Sequence, residues 1–255
     1  SSDLMNKIKY RFVLMLLVIF TSATFVSCLN ESEPVEPYTI AVWTAQRAQD
    51  QQLYFMADDD STTFVPSYTL SYPDSLLGKR CYVEFNLRTQ KKEGYTYVVD
   101  VRYIQSVPTW SLFDIRTANQ SDSLGNDPTN IMVAWVSGNY LNMMYQYYGT
   151  GTIKHSFTLA RNYLSTETVP DSVINLEFRH NRKLDQAGQR YDHVASFDIS
   201  SLAVDKTTDF YINIKYYHPN GYYNSFKIKV PIANIKQPVP FYIGRPFYLS
   251  EWGRS

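Results

Sequence analysis

The sequence predicts an all-β protein, in which an N-terminal five-stranded barrel of the OB type precedes a C-terminal immunoglobulin-like β-sandwich. Three observations lead to this fold class. Apolar and polar residues alternate with a period of two in many short runs. Gly, Pro and Asn separate these runs, as expected for turns between strands. The chain is also rich in aromatic residues that favour strands, with 22 Tyr, 14 Phe and 4 Trp.

Residues 1–27 have the order of a secretory leader of the lipoprotein type. Lys7, Lys9 and Arg11 precede the apolar block 12–20, and small residues then lead to Cys28. The block is about half of the ~20 residues that a membrane-spanning helix needs. The pattern therefore predicts Cys28 as the lipidated first residue of a mature bacterial lipoprotein. An ordinary cleaved leader with an incidental Cys28 is the alternative.

Residues 28–37 are polar, acidic and contain proline, so they cannot bury a core and are interpreted as a tether. Acyl chains on Cys28 would make the membrane the first partner of the protein. We therefore expect a cell-envelope, outer-membrane lipoprotein that is either periplasmic or surface-exposed.

Residues 38–115 contain the runs expected for the barrel. Five alternating runs are separated by short turns, and Gly94 provides a turn between the last two. The runs are 38–46, 52–57, 62–70, 81–88 and 95–104. Five strands in fewer than about 80 residues fit an OB-type barrel, although an SH3-like barrel fits the strand count nearly as well.

Residues 120–235 are predicted to form the sandwich, after a turn-rich boundary at 119–130. The expected strands are 131–136, 140–148, 152–159, 173–179, 191–199, 210–216 and 226–230. Strands at this spacing are typical of an antiparallel sandwich. No amphipathic helix is expected after the leader, and the Pro- and aromatic-rich tail 236–255 is left unassigned.

Charge and cysteine content exclude some classes of function. The chain has 24 basic and 24 acidic residues, so it lacks the cationic excess that drives nucleic-acid binding. Cys81 lies in an alternating run and is interpreted as a small buried apolar residue. With only one cysteine besides Cys28, no disulfide framework is expected.

The chain shows no recognised catalytic, phosphate-binding or dinucleotide-binding motif. Its four histidines, His155, His180, His193 and His218, lie far apart in sequence and are expected at the surface or as satisfied core residues. The acidic run 58–60 lacks the alternating ligands of a calcium loop, and is expected to be a solvated hairpin tip. The sequence therefore predicts no catalytic residue, no metal site and no cofactor.

Tyrosines beside two predicted turns, at 149–151 and 219–221, are the candidate ligand-binding residues. They are Tyr145, Tyr147, Tyr148, Tyr217, Tyr222 and Tyr223. Their rigid amphipathic rings suit sugar stacking and protein hot spots. The alternative is that alternate members simply belong to the core.

Four stretches resemble the NigD-like lipoproteins of Bacteroidetes. They are DSLGNDP at 122–128, GNYLN at 138–142, LEFRHN at 176–181 and SFDISSL at 196–202. The resemblance implies an N-terminal OB domain and a C-terminal β-sandwich behind a lipoprotein leader. It implies no catalytic residues.

Three hypotheses of function follow. The first is a non-catalytic, lipid-anchored envelope protein that binds a protein or glycan partner, with no nucleic-acid partner and an unknown oligomeric state. The second, which depends on the resemblance, is an accessory or immunity-type factor for a bacteriocin-like secreted peptide system. The third is an envelope hydrolase, since paired carboxylates need only be close in space.

Overall fold

The fold is described from a computed structural model, which covers residues 37–232 and 242–244. The strands of the barrel are β1 (Tyr38–Arg47), β2 (Leu53–Met56), β3 (Thr63–Pro66), β4 (Arg80–Arg88) and β5 (Tyr97–Ser106). Later strands are β6 (Thr109–Ser111), β7 (Phe113–Ile115), β8 (Asn130–Ser137), β9 (Tyr140–Gly149), β10 (Ser156–Asn162), β11 (Val173–Asn181), β12 (Gln189–Asp198), β13 (Phe210–Tyr217), β14 (Tyr223–Val230) and β15 (Tyr242–Gly244). A helix, α1 (Ala118–Ser123), follows β7.

The first five strands form a closed barrel. They pair in the order β1-β2-β3-β5-β4, and β4 pairs back onto β1. The β3–β5 pairing is parallel and the others are antiparallel. This Greek-key order is that of the OB type, so the SH3-like alternative is not the one adopted. Strand β15, from the previously unassigned tail, extends the sheet beside β1.

Aromatic residues fill the barrel. The ring of Trp43 lies 3.9 Å from that of Phe64 and 4.5 Å from that of Phe85, measured between centroids. The ring of Phe55 lies 5.9 Å from that of Trp43. Cys81 is fully buried in the same core, and burial raises the pKa of its thiol to about 11. The interpretation of Cys81 as a small apolar core residue is therefore confirmed.

The sandwich consists of a five-stranded sheet, β14-β13-β11-β10-β7, and a four-stranded sheet, β6-β12-β9-β8. All seven predicted strands are present, and the all-β class with a barrel followed by a sandwich is confirmed. The expectation of a purely antiparallel sandwich is wrong, because β11 and β13 run parallel. The physical reason is that β12 lies in the opposite sheet, so the chain returns to the first sheet in the same direction.

Short strands β6 and β7 were not predicted. They pair with β12 and β10 respectively, so both belong to the sandwich sheets. The sandwich therefore begins at Thr109. The sequence pattern assigns residues 38–115 to the barrel, and the last seven of these belong to the sandwich instead. Runs of three residues are too short for a period-two pattern to be recognised.

Helix α1 lies in the stretch interpreted as a turn-rich boundary. The Thr117 hydroxyl accepts from the backbone N–H of Gln120, and the Gln120 side chain accepts from the backbone of Thr117, which forms a capping box. The sequence pattern does not predict this helix, and none of its residues is buried. Within residues 37–232, no helix combines the length and apolar character needed to cross a lipid bilayer.

The barrel packs on the sandwich through an apolar cluster and a buried polar one. The apolar cluster joins Val42 and Tyr82 of the barrel with Trp135 of β8. In the polar cluster, Arg80 pairs with Asp58, and both side chains are almost completely buried. The expectation of a solvated tip at residues 58–60 is therefore wrong for Asp58, because the fold brings Arg80 to it.

Candidate functional site

A polar groove of about 240 Å³ lies on the outer face of the five-stranded sheet. Alternation along the strands creates this face. In β13, Ile212 and Ile214 point into the core, whereas Asn213 and Lys215 point outward. The groove is lined by Asn162, Ser165, Glu167, Asn175, Leu176, Glu177, Asn213, Lys215, Tyr223, Asn224 and Ser225.

Strand register sets the outward side chains in rows across the sheet. Asn175 of β11 lies opposite Asn213 of β13. In the next row, Glu177 lies opposite Lys215, and Lys215 lies opposite Ser225 of β14. Because neighbouring strands are about 4.8 Å apart, members of a row are within reach of one another.

Hydrogen bonds fix the amide and carboxylate groups of the groove. The Asn213 Nδ2 donates to Asn175 Oδ1 at 2.9 Å. The Asn162 Nδ2 donates to Glu177 Oε1 at 2.9 Å, and Arg179 Nη1 donates to Glu177 Oε2 at 2.8 Å. These side chains are therefore held in place by the protein itself.

Arg179 connects the groove to helix α1. Its Nε donates to the carbonyl of Gly125 at 2.7 Å, and its Nη2 donates to the carbonyl of Ser121 at 3.0 Å. The Ser121 carbonyl belongs to the helix, and Gly125 has a φ of +68° in the turn after it. The segment resembling NigD-like proteins at 122–128 thus supports the guanidinium that orients Glu177.

Tyr223 forms one wall of the groove. Its side chain is half-exposed, at 55%. The Lys215 ammonium lies 4.8 Å from the ring centroid, and the ring of Tyr217 lies 5.4 Å away. Asn126 Nδ2 donates to the Tyr223 hydroxyl at 2.6 Å. The ring is therefore oriented on three sides and still accessible to a ligand.

Four of the other candidate tyrosines are not at this groove. Tyr145 is fully buried in the sandwich core, so it cannot contact a ligand, because its strand position faces the opposite sheet. Tyr147 is half-buried and stacks on Tyr191 at 5.4 Å. Tyr148 is exposed on β9, and Tyr222 is exposed at the turn before β14. Of the six, Tyr223 lines the groove and Tyr217 supports it.

A buried chain of histidines was missed by the sequence analysis. His155 Nδ1 lies 2.9 Å from His180 Nε2, and His155 Nε2 lies 3.0 Å from Asp185 Oδ2. His180 Nδ1 lies 3.0 Å from the carbonyl of Pro128, which can only accept. His180 Nε2 is then the acceptor of the hydrogen bond from His155 Nδ1. No short motif joins these residues, so only the folded pairing of β10 with β11 brings the rings together.

The electrostatics of this chain indicate a structural role. Burial lowers the pKa of His180 to about 4. Hydrogen bonds from Thr150 hold the pKa of the Asp185 carboxyl well below its usual range. All three side chains are buried, so none is accessible to a substrate. Among residues 37–232, no group of three or more His, Cys, Asp or Glu has an arrangement suited to a metal ion.

Cys28 and all of the tail except 242–244 lie outside the described residues. The predicted lipidation at Cys28 therefore remains a prediction.

Comparisons with known proteins give one family and several structures. Residues 111–230 match the NigD-like C-terminal beta sandwich domain family. A protein of unknown function from Bacteroides vulgatus is 20% identical with a TM-score of 0.64, over 79% of this chain and 94% of that one. A NigD-like immunity protein from Bacteroides caccae is 17% identical with a TM-score of 0.52, over 76% of this chain and 95% of that one.

A third structure is a putative lipoprotein from Bacteroides fragilis. It is 11% identical with a TM-score of 0.51, over 76% of this chain and 97% of that one. At such identities these structures establish a shared fold. No curated protein sequence is similar to the chain.

Proposed function

We propose that this chain, whose residues 111–230 belong to the NigD-like C-terminal β-sandwich domain family, is a lipid-anchored, non-catalytic binding protein of the cell envelope. The resemblance to the NigD-like proteins in the sequence motifs is confirmed for the sandwich. The ordered groove on the outer face of the five-stranded sheet is the observation that carries the proposal.

The groove suits binding because its polar groups are ordered before a partner arrives. Asn162, Glu177 and Arg179 are linked by hydrogen bonds, and Arg179 is fixed in turn by backbone carbonyls. Ordering side chains on association costs about 0.5–1.5 kcal/mol each, and this cost is already met in the free protein. The site therefore favours recognition of a polar partner.

The same hydrogen bonds are the reason for proposing a non-catalytic role. Hydrolysis of a glycoside needs one carboxyl as an acid and a second as a base or nucleophile. In Glu177 both carboxylate oxygens already accept hydrogen bonds, from Asn162 and Arg179. This arrangement holds Glu177 as a fixed acceptor within the protein's own hydrogen-bond network.

The anchor is supported by the leader that ends on Cys28, and by the acidic tether 28–37 that follows. One structural relative is described as a putative lipoprotein. Acyl chains at Cys28 would hold the protein at the envelope, and the tether would let the groove reach a partner there.

An immunity-type role is the second candidate, favoured by the structural relative described as a NigD-like immunity protein. In that case the partner would be a secreted peptide. The groove is hydrophilic and does not contain a deep apolar pocket. It therefore suits a polar partner of the envelope better than a secreted peptide.

Binding of the lipid-free chain 35–255 to isolated envelopes of native cells tests the proposal. This chain contains every residue that the structure describes. We expect saturable binding that Asn213→Tyr, which fills the groove, weakens by at least about tenfold. Tyr103→Ala, at an exposed ring of the barrel, is the matched control and should bind as wild type. Non-saturable binding, or equal binding by Asn213→Tyr, would contradict the proposal.

Mass spectrometry of the protein from native cells tests the anchor independently. A diacylglyceryl group on Cys28 is the expected result. A polypeptide that begins after Cys28, or that keeps its whole leader, would contradict it.

A further inference from the structure

We infer that the groove binds a short neutral oligosaccharide in an extended conformation. This inference rests on the proposed function, since it names the class of partner for the same groove. It is argued from the hydrogen-bonding groups, the charge balance and the aromatic wall of that groove.

The amide groups of the groove match sugar hydroxyls. A hydroxyl both donates and accepts, and an Asn side chain offers two N–H donors and a carbonyl acceptor. Asn162, Asn175 and Asn213 line the groove together. Asn175 and Asn213 use only part of their capacity in the pair with one another, and Asn162, which donates to Glu177 and accepts from the backbone N–H of Leu164, keeps its second N–H. Further donor and acceptor capacity therefore remains at the groove surface.

The charges of the groove disfavour a phosphate or other anionic ligand. Sites for such anions use clusters of Arg or Lys. Here Lys215 is the one cationic side chain among the lining residues, and the carboxylates Glu167 and Glu177 line the groove with it. Arg179 lies beside the groove but is committed to Glu177 and to two carbonyls. A neutral, hydroxyl-rich ligand fits this balance better.

The lining also disfavours a peptide. Peptide sites add pockets for apolar side chains to their backbone contacts. Among the lining residues, Leu176 is almost completely buried, so its side chain belongs to the core, and Tyr223 supplies the accessible apolar surface. One ring beside a row of amides is the combination that recognises a sugar, whose ring has an apolar face and polar edges.

Aromatic side chains stand at both ends of this sheet face. Tyr211 and Tyr217 are six residues apart on β13, and both are outward positions of the alternating pattern. Tyr217 pairs with Tyr223 across the strands. The Asn and Glu–Lys rows lie between the two aromatic ends, but the lining of the groove does not extend to Tyr211, where Lys227 and Lys229 of β14 lie opposite Asn213 and Tyr211. The oligosaccharide is therefore expected at the Tyr217–Tyr223 end of this face.

A microarray of short neutral hexose, pentose and N-acetylhexosamine oligosaccharides tests the inference, with uronic acid oligosaccharides and decapeptides on the same surface. The probed protein is chain 35–255. We expect saturable binding to a subset of the neutral oligosaccharides. Titration calorimetry with the best neutral oligosaccharide should then show that Asn213→Leu and Tyr223→Ala each weaken binding by about tenfold or more.

Tyr148→Ala is the matched control, because Tyr148 is as exposed as Tyr223 but lies on the other sheet. It should bind within about twofold of wild type. Thermal unfolding of each variant separates loss of binding from loss of fold. Lys215→Met is a second groove variant, which removes the ammonium and keeps an unbranched side chain of similar length.

The outcomes separate this inference from the proposed function. If only uronic acids or peptides bind, or no array probe binds while envelope binding still depends on Asn213, the oligosaccharide class is wrong and the proposed function stands. If envelope binding is also absent, both are wrong.

Discussion

Arg80 and Asp58 form a buried bidentate ion pair, and each of the two side chains also makes a hydrogen bond to the sandwich. Arg80 Nη2 lies 3.0 Å from Asp58 Oδ2, and Arg80 Nε donates to Ser196 Oγ at 3.0 Å. Ser137 donates its hydroxyl to Asp58, and the guanidinium lies 3.8 Å from the ring centroid of Tyr140. Groups of the sandwich thus supply part of the hydrogen bonding of a charged pair of the barrel. These bonds fix how the barrel packs on the sandwich.

Removing one member of this pair should be strongly destabilising. Asp58→Asn or Arg80→Met leaves a buried charge without its partner, and we expect the free energy of unfolding to fall by about 3–5 kcal/mol. Urea denaturation measures the loss. The control is Arg116→Met, which breaks the exposed pair with Asp114 and should cost less than about 1 kcal/mol. An equal loss of unfolding free energy on breaking the buried pair and the exposed pair would contradict the account.

Gly138, at the turn between β8 and β9, is predicted to be intolerant of a side chain. Its φ is +52°, and a Cβ there would lie 2.7 Å from the Asp58 carbonyl oxygen. Gly138→Ala adds this clash to the strain of a left-handed alanine, which is about 1–2 kcal/mol. Gly94→Ala is the control, because its φ is +82° and the space around it is open.

The clash should make the Gly138 variant less stable than the Gly94 variant by about 1–3 kcal/mol. Thermal unfolding of the two variants checks this difference. Similar melting temperatures would show that the contact with Asp58 is loose.

Stability should fall in mild acid because of His180. The unfolded chain binds a proton on this side chain near pH 6.5, whereas burial lowers the native pKa to about 4. Between these values the unfolded state binds more protons, so stability is full above about pH 6.5 and decreases towards pH 4. The largest contribution is about 3 kcal/mol.

His180→Gln should remove this part of the pH dependence in denaturant titrations between pH 4 and 8. The matched control is His218→Gln, which removes a half-buried histidine outside the chain of His155 and Asp185. If the free energy of unfolding of His180→Gln depends on pH as strongly as that of the wild type, the assignment of a neutral His180 in the native state is contradicted.

Tyr145 carries a buried hydroxyl that has no hydrogen-bond partner in the described part of the chain. Burying such a group costs about 1–3 kcal/mol. We therefore expect Tyr145→Phe to raise the melting temperature, by a stabilisation of about 1 kcal/mol, and to leave envelope binding unchanged. Tyr82→Phe is the control, since it loses a 2.8 Å bond to Glu84 and should be no more stable than wild type. A destabilised Tyr145→Phe would show that its hydroxyl has a partner.

The strands could be predicted because alternation is a local property of the sequence. In β13, each inward Ile is followed by an outward polar residue, and the pattern alone indicates the buried face. Topology could not be predicted in the same way, since the parallel pairing of β11 with β13 depends on β12 crossing to the other sheet.

The groove was only partly accessible from the sequence. Tyr217 and Tyr223 stand out as aromatics beside a turn, but the row of Asn175 and Asn213 exists only through the β11–β13 register. Tyr145 was misjudged because a tyrosine near a turn can still occupy an inward position of its strand. Asp58 was misjudged because its partner, Arg80, lies 22 residues away in sequence.

Tyrosine nitration of chain 35–255, free and bound to native envelopes, tests most directly that the outer-sheet groove is the binding site. Tyr223 reports on the groove, and Tyr148 and Tyr103, which are similarly exposed, report on the other sheet and on the barrel. We predict that bound protein is protected at Tyr223, whereas Tyr148 and Tyr103 react as in the free protein. Protection of Tyr148 or Tyr103 with full reaction at Tyr223 would contradict the account.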